Sequence, residues 1–464
     1  MNVNNLIQSL DLAEYGVQYA QAKGAEHAEL FVSSEHSQRA QVEKGKTSVI
    51  QSVTDSGAFI RLIKNGYLGS VVFTQLSKQG VTEAVETAVK LAKVMHTAQA
   101  SFPEPRGAQG IHVNVDRKLD QLQPGDIYEF SRTMIESVKE SGSKVMATDG
   151  LFSSTITSMA VANSNGVSVA DAGSKLIVSM RTKARKTVNW GSGYEYRVEP
   201  SLRYVDPEDV GRKSAELSLS SVKKKRIKAG DYPVIFEPHA FADLVKSLLV
   251  QAALGVNIEK NASFLSGRQG SEVADADFSL YDEGFCHRGA NRGYVDHEGT
   301  PMQRTPIIEK GVFKESLYDH ASAVRVGKAS TGNGVRFFLP IYDRLYRFVP
   351  TVEGTNLVVK NGGSTRDEMI EGVKDGLLVT FLVGSWSFNY ADGSFSAEAR
   401  NCFKIERGEV AYAVDEATVS GNIMELVKGL QIGDNPLQSR GYVPLTPSTV
   451  ITPTVKAENV RIGA

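Results

Sequence analysis

Cysteine, long apolar runs and net charge are all scarce in this sequence. Only two cysteines, Cys286 and Cys402, occur among 464 residues, so a disulfide-built secreted scaffold is not expected. No stretch approaches the roughly 18 consecutive apolar residues that a membrane-spanning helix needs. The N-terminus lacks the basic segment and apolar core of a signal peptide. We therefore predict a cytoplasmic protein with no membrane partner.

The charge balance gives no reason to expect a nucleic-acid partner. The formal net charge is −1 at pH 7, and no basic face stands out in the sequence. The one basic run, at 223–228, is short and is interpreted as a solvated linker. The glycine-rich nucleotide-binding patterns and the nucleophile elbow of the α/β-hydrolases are also absent. These absences argue against several large classes of enzyme.

What is present indicates a folded protein of more than one domain. A hydrophobic share of 41% and a charged share of 23% are typical of globular chains. Apolar residues recur at helical spacing from Leu6 to Ala20, and Gly24 is placed to end that helix. Strand-like pieces follow at 28–36, 37–45, 48–53 and 58–74, the last with a hairpin signal at Asn65-Gly66. Further helices are predicted at 82–93, 124–141 and 207–221, with half-buried strands between the last two.

This order of elements predicts an α+β fold rather than alternating α/β. We predict an N-terminal domain of helices and antiparallel strands over 1–222, with a possible sub-boundary in the Pro- and Gly-rich stretch 97–120. A strand-rich C-terminal domain is predicted over 230–464, after a boundary near 223–230. It begins with a strand at 231–238 and contains helices at 240–253 and 364–373.

The start of the C-terminal domain resembles an active-site helix without the usual ligands. His239 and Asp243 are four residues apart, but Pro238 fits a first helical turn and Glu237 suits the positive end of a helix. A structural role for these residues is favoured over a metal site. The adjacent pair Cys286-His287 is interpreted as coincidence, because neighbours on a strand point to opposite faces.

The most distinctive stretch is 294–334, which is polar where a core strand would be apolar. Asp296, His297 and Glu298 are candidate ligands for a cation, although no fourth ligand is evident. Hairpins built on Glu298-Gly299 and Lys310-Gly311 are the structural alternative.

Four phrases in register resemble the TldD/PmbA family, the so-called modulators of DNA gyrase. They are GAFIRLIKNGYLGSVVFT, DHEGTPMQRTPIIEKGVF, STGNG and the long segment from GLLVTFLVG to ATVSGN. The resemblance runs from about residue 10 to 455. It implies the fold of that family, in which a TldD-like subunit binds zinc through H-E-x-x-x-H on a helix and a C-terminal cysteine. A PmbA/TldE-like subunit lacks these ligands and pairs with the first to form a cytoplasmic metallopeptidase for partly unfolded peptides.

This chain departs from the TldD-like pattern at every zinc position. The motif falls on 246–251, where Lys246 and Gln251 replace the histidines and Ser247 replaces the glutamate. The region expected to hold the cysteine, about 434–448, contains none. An ammonium repels a divalent cation, and a serine cannot act as the general base. The chain thus looks like the PmbA/TldE kind, with no cofactor of its own and zinc expected in a TldD-like partner.

A subunit of this kind can still complete a cavity wall and guide an extended peptide. The candidate residues for peptide or partner binding are Asp296, Glu298, Arg304, Thr331 and Asn333. The leading hypothesis is a non-catalytic subunit in a heterodimer with a TldD-like chain. The alternatives are a homodimer that binds peptides or a partner without catalysis, and an independent hydrolase using Cys286-His287 or Asp296-Glu298.

Overall fold

The fold is α+β, as the order of elements predicts. The computed structural model describes residues 3–93, 95–96, 101–337, 344–441 and 446–464. No helix within these ranges is long and apolar enough to cross a membrane.

The N-terminal part is built on one eight-stranded sheet. Its strands are β1 (His27–Glu43), β2 (Lys46–Lys64), β3 (Tyr67–Phe73), β4 (Met95–His96), β5 (Gly110–Asn114), β6 (Val145–Asn163), β7 (Ser168–Lys186) and β8 (Asn189–Glu199). The strand order is β4-β3-β2-β1-β6-β7, and β7 pairs on its far side with both β5 and β8. The sheet is antiparallel except for the parallel pair of β5 and β7.

Among the described residues, five α-helices accompany this sheet. They are α1 (Val3–Ala22), α2 (Lys78–Leu91), α3 (Arg117–Asp120), α4 (Pro124–Glu140) and α5 (Pro207–Ser220). One apolar core lies where α1 and α2 meet the sheet, around Leu30 and Ile60. A second lies where α4 and α5 meet it, around Phe152 and Val178. The residues of β1 and β7 in both cores are all even-numbered, so α1, α2, α4 and α5 cover the same face of the sheet and leave its opposite face free of these four helices.

Local signals locate most of these elements, but two predictions need correction. The strands predicted separately at 28–36 and 37–45 are the single strand β1, and the pieces at 48–53 and 58–64 both belong to β2. Polar residues interrupt the apolar pattern there, but β1 keeps its backbone pairing with β2 and β6 across the interruption. The predicted hairpin at Asn65-Gly66 is confirmed, with positive φ angles at both residues.

The predicted connector at 97–120 contains regular structure. Residues 97–100 lie outside the described part of the chain, and β5 and α3 occupy much of the remainder. The first sheet is continuous across this stretch, since β1 pairs with β2 before it and with β6 after it.

The C-terminal part contains many short strands. They are β9 (Lys224–Lys225), β10 (Gly230–Phe236), β11 (Leu280–Glu283), β12 (Arg304–Glu309), β13 (Val312–Phe313), β14 (Gly334–Val335), β15 (Thr351–Val352), β16 (Asn356–Val359), β17 (Asp375–Val383), β18 (Ser394–Glu406), β19 (Glu409–Val414), β20 (Thr418–Asn422), β21 (Gln431–Ile432), β22 (Leu437–Ser439), β23 (Thr449–Thr452) and β24 (Val455–Gly463). Its helices are α6 (Pro238–Leu244), α7 (Gln251–Ala253), α8 (Gly255–Glu259), α9 (His320–Arg325), α10 (Arg366–Glu371) and α11 (Ile423–Leu426).

These strands form two larger sheets and a short pair, β14-β15. In one sheet, β17, β10, β24, β20 and β18 follow one another, and β17 also pairs with β18, so these five strands close into a ring. The other has the order β13-β12-β11-β16-β23-β22. One large apolar core includes residues of both sheets and of the helical stretch from α6 to α7.

The C-terminal part packs on the helix-free face of the first sheet. Phe31 and Val161 from that face share a small core with Val295 and Tyr346. Arg336 is fully buried beside it and donates to the Glu29 carboxylate of β1, with an Nη2–Oε1 distance of 2.6 Å. The two parts therefore meet through both apolar and ionic contacts.

Candidate functional site

The helix that carries the degenerate motif begins directly after β10. Glu237 is its N-cap residue and Pro238 occupies the first turn, where a missing N–H costs nothing. Between Val245 and Val250 the helix widens into a π turn. A π turn bonds residues i and i+5, so it brings positions five apart towards one side of the helix. Lys246 and Gln251 are related in this way.

Lys246 is buried and donates to the backbone of a distant segment. Its Nζ lies 2.6 Å from the carbonyl oxygen of Arg440 and 3.2 Å from that of Thr446. Burial lowers the pKa of this lysine to about 8, although the acidic side chains of Asp243 and Glu353 favour its charged form. The ammonium therefore ties the helix to both sides of residues 441–445.

Gln251 contacts a buried carboxylate from another part of the chain. Its Nε2 lies 3.2 Å from each carboxylate oxygen of Glu353. Burial raises the pKa of Glu353 to about 7, against the lowering effect of the Gly354 N–H, of Gln251 and of Lys246. Ser247 is half-buried on the same helix. Gln251 thus contacts Glu353, and Lys246 acts on the same carboxylate through its charge.

Asp296 and Glu298 lie buried in the loop between β11 and β12. Asp296 accepts the backbone N–H groups of Glu298 and Thr300 at 2.9 Å and that of Gly334 at 2.8 Å. Glu298 accepts the N–H of His320 at 2.8 Å. Burial raises the pKa of both acids. These contacts hold the loop, and the predicted role of the two acids in peptide binding stays a prediction.

Two tight turns predicted for this stretch are confirmed. Gly299 has a φ of +80°, and the chain reverses there between the bridged residues Val295 and Pro301. Lys310 and Gly311 both have positive φ and join β12 to β13. No group of three His, Cys, Asp or Glu residues suited to a metal occurs in the part of the chain that the structure describes.

Thr331 and Asn333 belong to a buried hydrogen-bond network. The Thr331 hydroxyl donates to Asn333 Oδ1 at 2.6 Å, and Asn333 Nδ2 donates to the Asp282 carboxylate and to the Glu353 carbonyl oxygen. The network thus leads to Glu353, the partner of Gln251. Arg304 is separate from it, because its exposed side chain covers the ring of Tyr281. The structure does not bring the five candidate binding residues together on one surface.

His239 has structural contacts. Its ring stacks on Phe381 and lies 3.2 Å from both Ser439 Oγ and the Glu195 carboxylate. Burial opposes the charged form of Glu195, but Arg197 and His239 lower the pKa of this acid to about 2. The Glu237 carboxylate pairs with Arg366.

The pair Cys286-His287 lies in a turn after β11, so the strand geometry assumed for it is wrong. β11 ends at Glu283, and the glycines at 284 and 289 flank the turn. Burial raises the pKa of the Cys286 thiol. His287 Nε2 lies 2.9 Å from Nη2 of Arg203.

Comparison with known proteins assigns the chain to a family. Profiles of the PmbA/TldA metallopeptidases match in order: domain 1 over 28–92, the central domain over 117–222 and the C-terminal domain over 229–464. The chain belongs to the PmbA/TldA metallopeptidase family. The resemblance noted in the sequence is thereby confirmed.

Relatives and solved structures of this family match along most of their length. An uncharacterized protein of Methanocaldococcus jannaschii is 24% identical over 94% of this chain and 97% of its own. The metalloprotease PmbA of Escherichia coli O157:H7 is 21% identical over 92% and 91%. The crystal structure of TldE from Thermococcus kodakarensis superimposes with a TM-score of 0.88 at 25% identity, covering 98% of this chain and 99% of that one.

The residues at the positions where the resemblance implies zinc ligands do not fit a zinc ion. Zinc takes neutral imidazole, thiolate or carboxylate ligands. Lys246 here is a hydrogen-bond donor with two carbonyl acceptors, and the Gln251 amide donates to Glu353. A glutamate and an aspartate lie near Lys246, but they complete no metal-binding group within the described residues.

Sequence reasoning missed Glu353 and the acceptors of Lys246. Glu353 precedes a glycine in a polar stretch that gives no sign of burial, and its partner Gln251 is 102 residues away. The Arg440 and Thr446 acceptors are backbone atoms, which no side-chain pattern reveals. The replaced motif was the only signal in the sequence. It implied that the side chains at the zinc positions must have partners other than zinc.

Proposed function

We propose that this chain is a non-catalytic, PmbA/TldE-like subunit of a cytoplasmic zinc metallopeptidase complex that processes unfolded peptides. The observation that carries the proposal is the buried Lys246 ammonium at the first ligand position of the motif. It donates to the carbonyl oxygens of Arg440 and Thr446. Both acceptors lie within 434–448, the region in which the TldD-like pattern has its cysteine. A hydrogen-bonded cation thus joins the two parts of the chain that zinc joins in that pattern.

This arrangement supports a role as scaffold. These hydrogen bonds hold the helix in place without a metal. The helix can therefore still form part of a cavity wall in a subunit that performs no hydrolysis. The zinc and the general base would come from a TldD-like partner in a heterodimer. The similarity to a TldE structure over nearly the whole chain favours this assignment. Extended peptides are the proposed substrates of the complex.

The test is to purify the chain alone and together with a TldD-like chain from the same genome. We expect the isolated chain to contain no stoichiometric zinc and to leave an unfolded test peptide intact. We expect the mixture to co-elute in size exclusion and to cleave the peptide in a chelator-sensitive way. Stoichiometric zinc and chelator-sensitive cleavage by the isolated chain would contradict the proposal.

A matched pair of variants separates scaffold from catalyst. Lys246→Met removes the cation but keeps an unbranched side chain only one atom shorter, and Lys260→Met makes the same change at an exposed position. We expect the complex with Lys246→Met to keep its bound zinc while its assembly or thermal stability decreases. Loss of zinc from a complex that still assembles normally would instead assign Lys246 to the metal site.

A further inference from the structure

A cavity of about 380 Å³ lies between the two halves of the molecule. Its floor is the helix-free face of the first sheet, with Thr155 and Thr157 of β6 and Lys175 of β7. Its roof includes Arg292 from the loop after β11 and Arg440 from the segment after β22. Ligand pockets in proteins span about 300–1,000 Å³, so the volume suits a small organic molecule.

The lining of the cavity carries an excess of positive charge. Among the described residues, five lysine or arginine side chains and two acidic side chains, Glu35 and Asp171, line it. One of the five, Arg336, pairs with Glu29, which also pairs with Arg61, and Arg39 and Lys175 have interaction partners of their own. Asp171 Oδ2 accepts the N–H of Tyr294 at 2.7 Å and that of Val295 at 3.4 Å. Low-dielectric walls focus such an excess of charge and favour an anionic ligand.

Two of the arginines have donors that no hydrogen bond within the described residues satisfies. Nε of Arg292 and Nε of Arg440 are both buried without a partner. Arg292 does donate through Nη1 to the carbonyl oxygen of His287 at 3.1 Å. Buried polar groups in proteins are nearly always hydrogen-bonded, so unsatisfied donors beside a cavity suggest a bound acceptor. The planar fork of arginine matches a carboxylate.

The same cavity offers an acceptor and apolar surface. Asp171 Oδ1 is buried and has no hydrogen-bond partner among the described residues. Met159, Ile177 and Val198 contribute apolar walls. A ligand that fits has a carboxylate for the arginines, an N–H or O–H group for Asp171 and an apolar body.

We propose that this cavity binds a small organic carboxylate with an apolar body and a hydrogen-bond donor, of about the size of an acylated amino acid. The site is made of this chain's own residues and needs neither zinc nor a partner subunit. It is therefore independent of the proposed function, and either can fail without the other.

The test is calorimetric titration of the purified chain with N-acetyl-L-leucine. N-acetyl-L-leucinamide is the neutral control with the same apolar body, and inorganic phosphate tests for a general anion site. The variants are Arg440→Gln and Arg292→Gln, at two independent positions of the roof. Arg226→Gln is the matched control, because that side chain is 76% exposed and belongs to a surface pair.

We expect the acid to bind and the amide to bind on the order of tenfold more weakly, as the loss of a charged hydrogen bond implies. Arg440→Gln and Arg292→Gln should each weaken binding of the acid by a similar factor. Arg440→Lys should weaken it less than Arg440→Gln does, and Arg226→Gln should leave it unchanged. Circular dichroism verifies that each variant is folded. No binding of the acid at millimolar concentration, equal binding of the amide, tighter binding of phosphate or an equal loss in Arg226→Gln would each overturn the proposal.

Discussion

The motif helix and the Asp296 loop both bury ionisable side chains, but they use them differently. The acceptors of Lys246 lie 194 and 200 residues further along the chain. The donors to Asp296 lie only 2, 4 and 38 residues further along. The buried cation therefore joins distant segments of the fold, whereas the buried acid shapes one loop. Burial alone does not reveal whether a polar residue joins distant segments or shapes its own loop.

The two regions also reach different neighbours. The motif helix contacts Glu353, which belongs to the network of Asn333 and Asp282. The Asp296 loop contacts the first sheet, because the N–H of Arg336 donates to His297 and its guanidinium donates to Glu29. The helix is thus part of the C-terminal core, and the loop is part of the junction between the two halves.

The substitution with the largest expected effect is Lys246→Met. It removes the Lys246 donor from the partly buried carbonyl oxygens of Arg440 and Thr446. Each unsatisfied buried group costs about 1–3 kcal/mol of the free energy of unfolding. Chemical denaturation of the variant measures the loss, with Lys260→Met as the control. A loss no greater than in the control would show that the cation does not hold the C-terminal segment.

Asp296→Asn should cost less, because it disturbs one contact of the loop. The amide oxygen can still accept the N–H groups of Glu298 and Thr300, but the amide nitrogen then faces the N–H of Gly334. One unsatisfied donor should lower the free energy of unfolding by about 1–3 kcal/mol. Chemical denaturation measures this loss, and Asp434→Asn, which changes an exposed aspartate, is the control. If the loss exceeded that of Lys246→Met, the local contacts of the loop would contribute more to stability than the long-range contacts of Lys246.

The two regions should respond to pH with opposite signs. Burial lowers the pKa of Lys246 from 10.5 to about 8, so between these values the unfolded chain holds more protons and stability rises with pH. Burial raises the pKa of Asp296 above 3.8 and that of Glu298 above 4.5, so the folded chain holds more protons there. Stability from this loop therefore falls as pH rises from about 4 towards neutrality.

Unfolding free energies from pH 4 to 10 check this difference. In Lys246→Met the rise above pH 8 should disappear while the fall at lower pH persists. In Glu298→Gln, which resembles the protonated acid and keeps an acceptor for the His320 N–H, the fall should become shallower. Glu409→Gln, at an exposed site, should change neither slope. Identical pH profiles for the wild type and both buried variants would remove the contrast.

Local patterns predicted much of the fold, and long-range contacts account for what they missed. Helical spacing located α1, and the Asn-Gly signal located the hairpin between β2 and β3. The interrupted pattern near residue 37 hid the length of β1, because pairing with two neighbouring strands continues it. At the site, the replaced motif identified Lys246 and Gln251. Their partners are a distant carboxylate and backbone carbonyl groups, which leave no periodic trace.

The smallest effect is expected for Arg304→Gln, which contrasts an exposed charge with the two buried ones. The Arg304 side chain is 60% exposed and pairs with Glu283 across a Nε–Oε1 distance of 2.7 Å. Exposed ion pairs contribute about 0–1 kcal/mol, so the free energy of unfolding should hardly change. Arg304 is also a predicted binding residue, and its exposure leaves it accessible to a peptide. Titration of an unfolded peptide into the wild type and this variant, with Arg226→Gln as control, separates a role in peptide binding from a role in stability. Weaker binding at unchanged stability would support peptide recognition by Arg304. Unchanged binding would contradict it.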